Sequence, residues 1–153
     1  MWYADRIFYQ IFHRHIDWDD PKDLNEKINW LKFHEDPYRW ARLADKYRVR
    51  EYVAEKGLSD ILVPLYGKYD SSQELLDAWE SLPEEFVLKN NNGCSHLLRV
   101  SGETGGKSAV DKEDLRTMTD GWLREKDFGV DFVELHYKLI QNCLIVEKLL
   151  KDE

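Results

Sequence analysis

Gly106-Lys107-Ser108 follows a β-prone run and invites comparison with a phosphate-binding loop, in which a lysine and a hydroxyl meet bound phosphates. The position that should carry the first glycine of such a loop is Ser101. The residues that follow, Ala109-Val110-Asp111-Lys112-Glu113-Asp114, are acidic where an apolar helix should open beneath the phosphates, so an exposed flexible connector is the better reading. His13 and His15 stand beside Asp17, Asp19 and Asp20, and imidazole with carboxylate suits a metal ion. Nothing else fixes that geometry, and a solvated helix end explains the cluster better. Cys94 and His96 fall on the same side of an extended strand, the arrangement a thiol nucleophile and its base would need, without other support. Lys89 ends an apolar run beside a polar loop whose backbone N–H groups could face an anion. Emergence into solvent at a strand end accounts for Lys89 equally well.

The elements that must position these groups are helical at the front. Asp20 reads as a cap and Pro21 as a first helical residue, with Leu24, Ile28 and Leu31 along one face. A second helix carries Leu43, Tyr47, Arg50 and Val53, and Gly57 supplies a left-handed stop. The apolar run Ile61 to Leu65 predicts a strand, placed at an edge or end by Pro64. Ser71 and Glu74 form a capping-box pattern ahead of Leu75, Leu76, Trp79 and Leu82, and Pro83 closes that helix. Phe86-Val87-Leu88-Lys89 and His96-Leu97-Leu98-Arg99-Val100 flank Asn90-Asn91-Asn92-Gly93-Cys94-Ser95 and predict a hairpin. Asp111 caps a helix that turns Leu115, Met118 and Trp122 toward the core. Leu144 to Leu150 predicts a last strand with almost nothing after it, hence an uncovered apolar edge that recruits another strand.

The chain has 153 residues, enough for one core; 42% are hydrophobic and 13% aromatic, too apolar for a disordered segment. A net charge of −8 repels nucleic-acid phosphates, so general nucleic-acid binding is not expected. No run approaches the roughly 20 apolar residues of a transmembrane helix, and Met1-Trp2-Tyr3-Ala4-Asp5-Arg6 lacks the pattern of a secretory signal, which makes the cytoplasm the expected location. Cys94 and Cys143 show no metal-ligand spacing and read as ordinary reduced thiols.

Three segments in order, Asp20-Pro21-Lys22-Asp23-Leu24-Asn25-Glu26-Lys27-Ile28-Asn29-Trp30-Leu31-Lys32, Ala44 to Val53 around Asp45-Lys46, and Leu82-Pro83-Glu84-Glu85-Phe86-Val87-Leu88-Lys89, resemble ATP-grasp proteins of the teichuronopeptide-biosynthesis type, associated with bacterial capsule and surface-polysaccharide clusters. The similarity runs from about residue 18 through Trp122-Leu123 and Glu134-Leu135-His136-Tyr137 to Ile145-Val146-Glu147-Lys148-Leu149. The resemblance implies an α+β fold, with a helical segment over residues 1–60 and a partial ATP-grasp lobe with a small, mostly antiparallel sheet over 61–153. It implies that Lys46 and Lys89 approach nucleotide phosphates, that Asn91-Asn92-Gly93-Cys94-Ser95, with Asn92, Gly93 and Ser95 in contact, folds over them, and that Glu147, Lys148, Leu149 and Leu150 form the adenine hinge.

The expected ligand is therefore ATP, bound weakly. The family's loop commonly has a second glycine where Cys94-Ser95 stands here, and its magnesium-holding carboxylates and asparagine lie beyond the hinge, so magnesium is expected only for the full-length family. The resemblance implies the nucleotide-binding portion of a carboxylate–amine ligase or related transferase. The alternatives are a non-catalytic interaction module that self-associates or pairs its sheet with a partner chain, and a glycosyltransferase-associated protein.

Overall fold

Helices occupy the front of the chain in the computed structural model, which describes residues 1–151. Helix α1, Trp2–Phe12, buries Ala4 and Phe8 and ends where His13 takes a left-handed conformation. Helix α2, Leu24–His34, begins later than Asp20-Pro21 suggests. Asp23 accepts from the N–H groups of Asn25 and Glu26 while Glu26 reaches back to the Asp23 N–H, and this reciprocal cap outcompetes the weaker one upstream. The expected apolar face is also not the buried one: Leu24 is 71% exposed, and the helix instead buries Glu26, held by Arg14.

The expected second helix is two. Helix α3, Pro37–Ala44, and helix α4, Val49–Glu55, are separated because the buried Asp45 carboxylate accepts from Tyr47 and Arg48 N–H, turning the chain between them. Gly57 supplies the left-handed stop, with φ +74°.

Strand β1 spans Leu65–Tyr69, not Ile61 to Leu65. Ser59–Ile61 is a 3-10 turn with Ile61 exposed, and pairing opens at Pro64, whose carbonyl accepts from the Lys148 N–H although it has no N–H to give. Helix α5, Ser72–Ala78, is capped by Ser71 as expected but stops short of Pro83: Trp79–Ser81 tightens into a 3-10 turn, and Leu82 is already extended. Strands β2, Phe86–Asn90, and β3, Leu97–Val100, form the expected hairpin, and helix α6, Lys112–Arg124, is capped by Asp111. Strand β4 is Leu144–Lys148.

The four strands form one antiparallel sheet in the order β1-β4-β2-β3, giving an α+β architecture. The last strand is therefore central, which overturns the expected uncovered edge at Leu144 to Leu150. After β3 the chain crosses through α6 and returns between β1 and β2, where Leu144, Ile145 and Val146 are fully buried. Phe86, Leu88, Val100, Leu144 and Val146 face one side and pack on Leu75, Trp79, Leu82 and Leu115. Trp79 meets Phe86 edge-on at 5.4 Å. No helix among the described residues is long and apolar enough to cross a membrane.

Candidate functional site

The opposite sheet face carries the charge. Lys89 lies across from Ile145 and Val87 across from Glu147, so the two-residue period sets Lys89 and Glu147 diagonally on one face. Lys89 Nζ donates to Glu147 Oε2 at 2.7 Å. From α4, Arg50 donates to Glu147 Oε1 at 2.9 Å and to the Val63 carbonyl at 2.6 Å. A single carboxylate thus serves two cations. Glu147 is only 7% exposed, so each of its oxygens needs such a partner.

Lys46 enters from the turn between α3 and α4. Its backbone N–H donates to the Asn91 carbonyl at 3.0 Å, and its ammonium donates to the Gly93 carbonyl at 2.5 Å. Burial lowers its pKa below the ordinary lysine value, and the positive charge of Lys89 lowers it further. The two lysines, far apart in sequence, therefore feel one another.

The loop between β2 and β3 is tied down by amides. Asn91 donates to the Gln141 carbonyl at 3.0 Å and accepts from Cys143 N–H at 2.8 Å, imitating a further strand pair beside β4. Asn90 donates to the Trp122 carbonyl. Asn142 satisfies the carbonyls of Trp122, Leu123 and Glu125 at the end of α6, where no further helical N–H follows. Gly93 has φ +70°, and a Cβ there would meet the Phe128 ring at 3.0 Å, so only glycine fits without movement.

Lys46, Lys89, Gly93 and Glu147 come together around this face. Asn92 does not join them through its side chain, which donates to the Tyr137 carbonyl and to Asn142 Oδ1 and lines a separate cleft of about 670 Å³ with Asp127 and Lys138. Ser95 is exposed at φ +67°. The Lys148 N–H donates to the Pro64 carbonyl at 2.9 Å, while Leu149 and Leu150 follow the strand and Leu150 is exposed. Sequence reasoning missed Arg50, which has no local signal, and the structural role of Asn90 and Asn91. Three amides at the end of an apolar strand were the available signal for the latter.

The other candidates resolve into structural roles. Lys107 is buried and donates to the Leu82 and Glu80 carbonyls at 2.9 and 3.2 Å, which corrects the expected flexible connector: the lysine pins that segment to the 3-10 turn that follows α5. His15 bonds Asp5, and Asp17 accepts from Asp19 and Asp20 N–H. Among the described residues no group of three or more His, Cys, Asp or Glu side chains is placed to hold a metal ion. His96 stacks on Trp122 and pairs with Glu125. Cys143 is buried, which pushes its thiol up to about 12, with Asp45 adding to the rise. Comparison of the chain with family models, curated proteins and solved structures finds no match in any of the three.

Proposed function

We propose that the face carrying Lys46, Lys89 and Arg50 binds the polyphosphate of a nucleotide, ATP in the first instance, as the nucleotide-binding portion of an ATP-grasp-type protein of bacterial surface-polysaccharide synthesis. The observation that carries this reading is the convergence of Lys46 and Lys89 from separate elements on one face, close enough for one charge to depress the pKa of the other. Two ammonium groups and a guanidinium against the carboxylates of Glu147 and Asp45 leave a local surplus of positive charge in a chain of net charge −8, and a polyanion relieves that surplus. The carbonyls around Lys46 and the Glu147 carboxylate hold the cations in place before the ligand arrives. Within a ligase, such a lobe would supply bound ATP for activation of a carboxylate as an acyl phosphate and its transfer to an amine. No residue of this chain is assigned to magnesium, and no chemical step is assigned to the chain itself.

A non-catalytic interaction module is the second reading, favoured by the fact that Glu147 already neutralises Lys89 and Arg50. Thermal unfolding with ATP separates the two. Nucleotide binding predicts a modest rise in melting temperature at millimolar ATP that Lys46→Ala and Lys89→Ala each abolish. A flat scan on folded protein refutes it and leaves the interaction module.

A further inference from the structure

The cleft of about 670 Å³ that Asn92 lines opens where β1 ends, β4 begins and α6 runs out. Its size falls within the range of about 300–1,000 Å³ in which proteins hold small molecules. Three carboxylates line it, and each is already partnered: Asp70 by Lys68, Glu125 by His96 at 3.2 Å and Asp127 by Lys138 at 3.4 Å. Lys126 and Lys138 stand in the same wall. With Lys68 behind Asp70, three lysines balance the three carboxylates, so the cleft favours neither a cation nor an anion.

What the cleft leaves unsatisfied is a neutral acceptor. Asn92 is only 5% exposed, and its amide hydrogens are committed to the Tyr137 carbonyl at 3.3 Å and to Asn142 Oδ1 at 3.0 Å. Those two donations fix which way the amide points. Its own Oδ1 is buried and receives no hydrogen bond from the described residues. A buried acceptor without a donor is costly, so the missing donor comes from whatever fills the cleft.

We propose that this cleft binds a neutral, hydroxyl-rich small molecule of the size of one or two sugar rings, one hydroxyl of which donates to Asn92 Oδ1. Because that oxygen is almost closed to solvent, its donor has to be slim, and a hydroxyl is slimmer than an ammonium or a carboxamide. A hydroxyl also donates and accepts at once, which suits a wall where carboxylates, ammonium groups and the Gln141 amide stand together. Leu123 and Ile140 give the C–H faces of such rings an apolar contact. A cationic ligand would meet Lys126 and Lys138, and an anionic one the three carboxylates. The proposal does not rest on nucleotide binding, which concerns Lys46, Lys89 and Arg50.

The test titrates the isotope-labelled full chain with maltose, cellobiose and lactose, each up to about 100 mM, since a few hydroxyl contacts give millimolar affinity. Glycerol at matched hydroxyl concentration, cadaverine, glutarate and N-acetylglycinamide are the controls. At least one disaccharide should give saturable resonance shifts at the side-chain amides of Asn92 and Gln141 and at Tyr137. Asn92→Leu should abolish them. Asp127→Ala, at an exposed position, should weaken binding by about fivefold, the loss of roughly one hydrogen bond, and keeps the test decisive if the Asn92 variant does not fold. No saturable shift with any of the three sugars, or shifts that only match those of glycerol, overturns the proposal. Tighter binding of cadaverine, glutarate or N-acetylglycinamide at these same resonances also overturns it, as does binding that Asp127→Ala leaves unchanged.

Discussion

Replacing Glu147 with Gln removes the one negative charge between Lys89 and Arg50 and keeps the side-chain shape. Glu147 accepts two charge-assisted bonds, at 2.7 and 2.9 Å, and the Lys89 and Arg50 side chains retain 28% and 17% exposure. Hydrogen bonds to charged groups contribute about 1.5–3 kcal/mol each, and the amide can still accept one of the two, so a loss of about 1–3 kcal/mol is expected after allowing for residual hydration. At roughly 2–4 °C per kcal/mol for a domain of this size, the melting temperature should fall by about 2–12 °C. The same substitution raises the local positive charge by one, so pyrophosphate and ATP should bind more tightly to Glu147→Gln, with a steeper salt dependence. Urea unfolding measures the first effect, and calorimetric titration on the folded fraction at low temperature measures the second. A stability loss below about 0.5 kcal/mol would show that the carboxylate is not holding the two cations. Unchanged or weaker phosphate binding would refute the reasoning that Glu147 and a polyanion compete for the same charges.

Ile145→Lys should cost more than about 3 kcal/mol, because Ile145 is fully buried in a central strand and a charge there has no partner; a folded variant with unchanged urea midpoint contradicts this. Lys107→Met should lose about 1–3 kcal/mol by leaving the Leu82 and Glu80 carbonyls unpaired, and should leave any ATP-induced thermal shift untouched, since this lysine is structural. Glu26 is held at about 2 against an ordinary 4.5, first by the Lys22 N–H and then by Arg14 and the Asp23 N–H. Its folded pKa is depressed, so its stabilising contribution is present above about 4.5 and is lost as pH falls toward 2. Acid titration followed by circular dichroism should show a loss in that window that Glu26→Gln lacks.

Local chemistry was legible wherever a single short segment decides the outcome. Asp111, Ser71 and Gly57 end or begin helices through groups within a few residues, and the β2–β3 hairpin closes over one short loop, so these elements could be read from the sequence alone. Lys46 and Lys89 were likewise visible as candidate cations, on the strength of segment order. The placement of β4 was not legible. An apolar run near the end of the chain reads identically as a bare edge or as a central strand, and only the crossover through α6 puts Leu144–Lys148 between β1 and β2. The same long-range closure brings Arg50 to Glu147, 97 residues away, and turns Asn92 from the lysines to Asn142. Caps and turns are set by neighbours along the chain. Which charge meets which, and which strand is covered, is set by where distant segments return, and no local pattern encodes that.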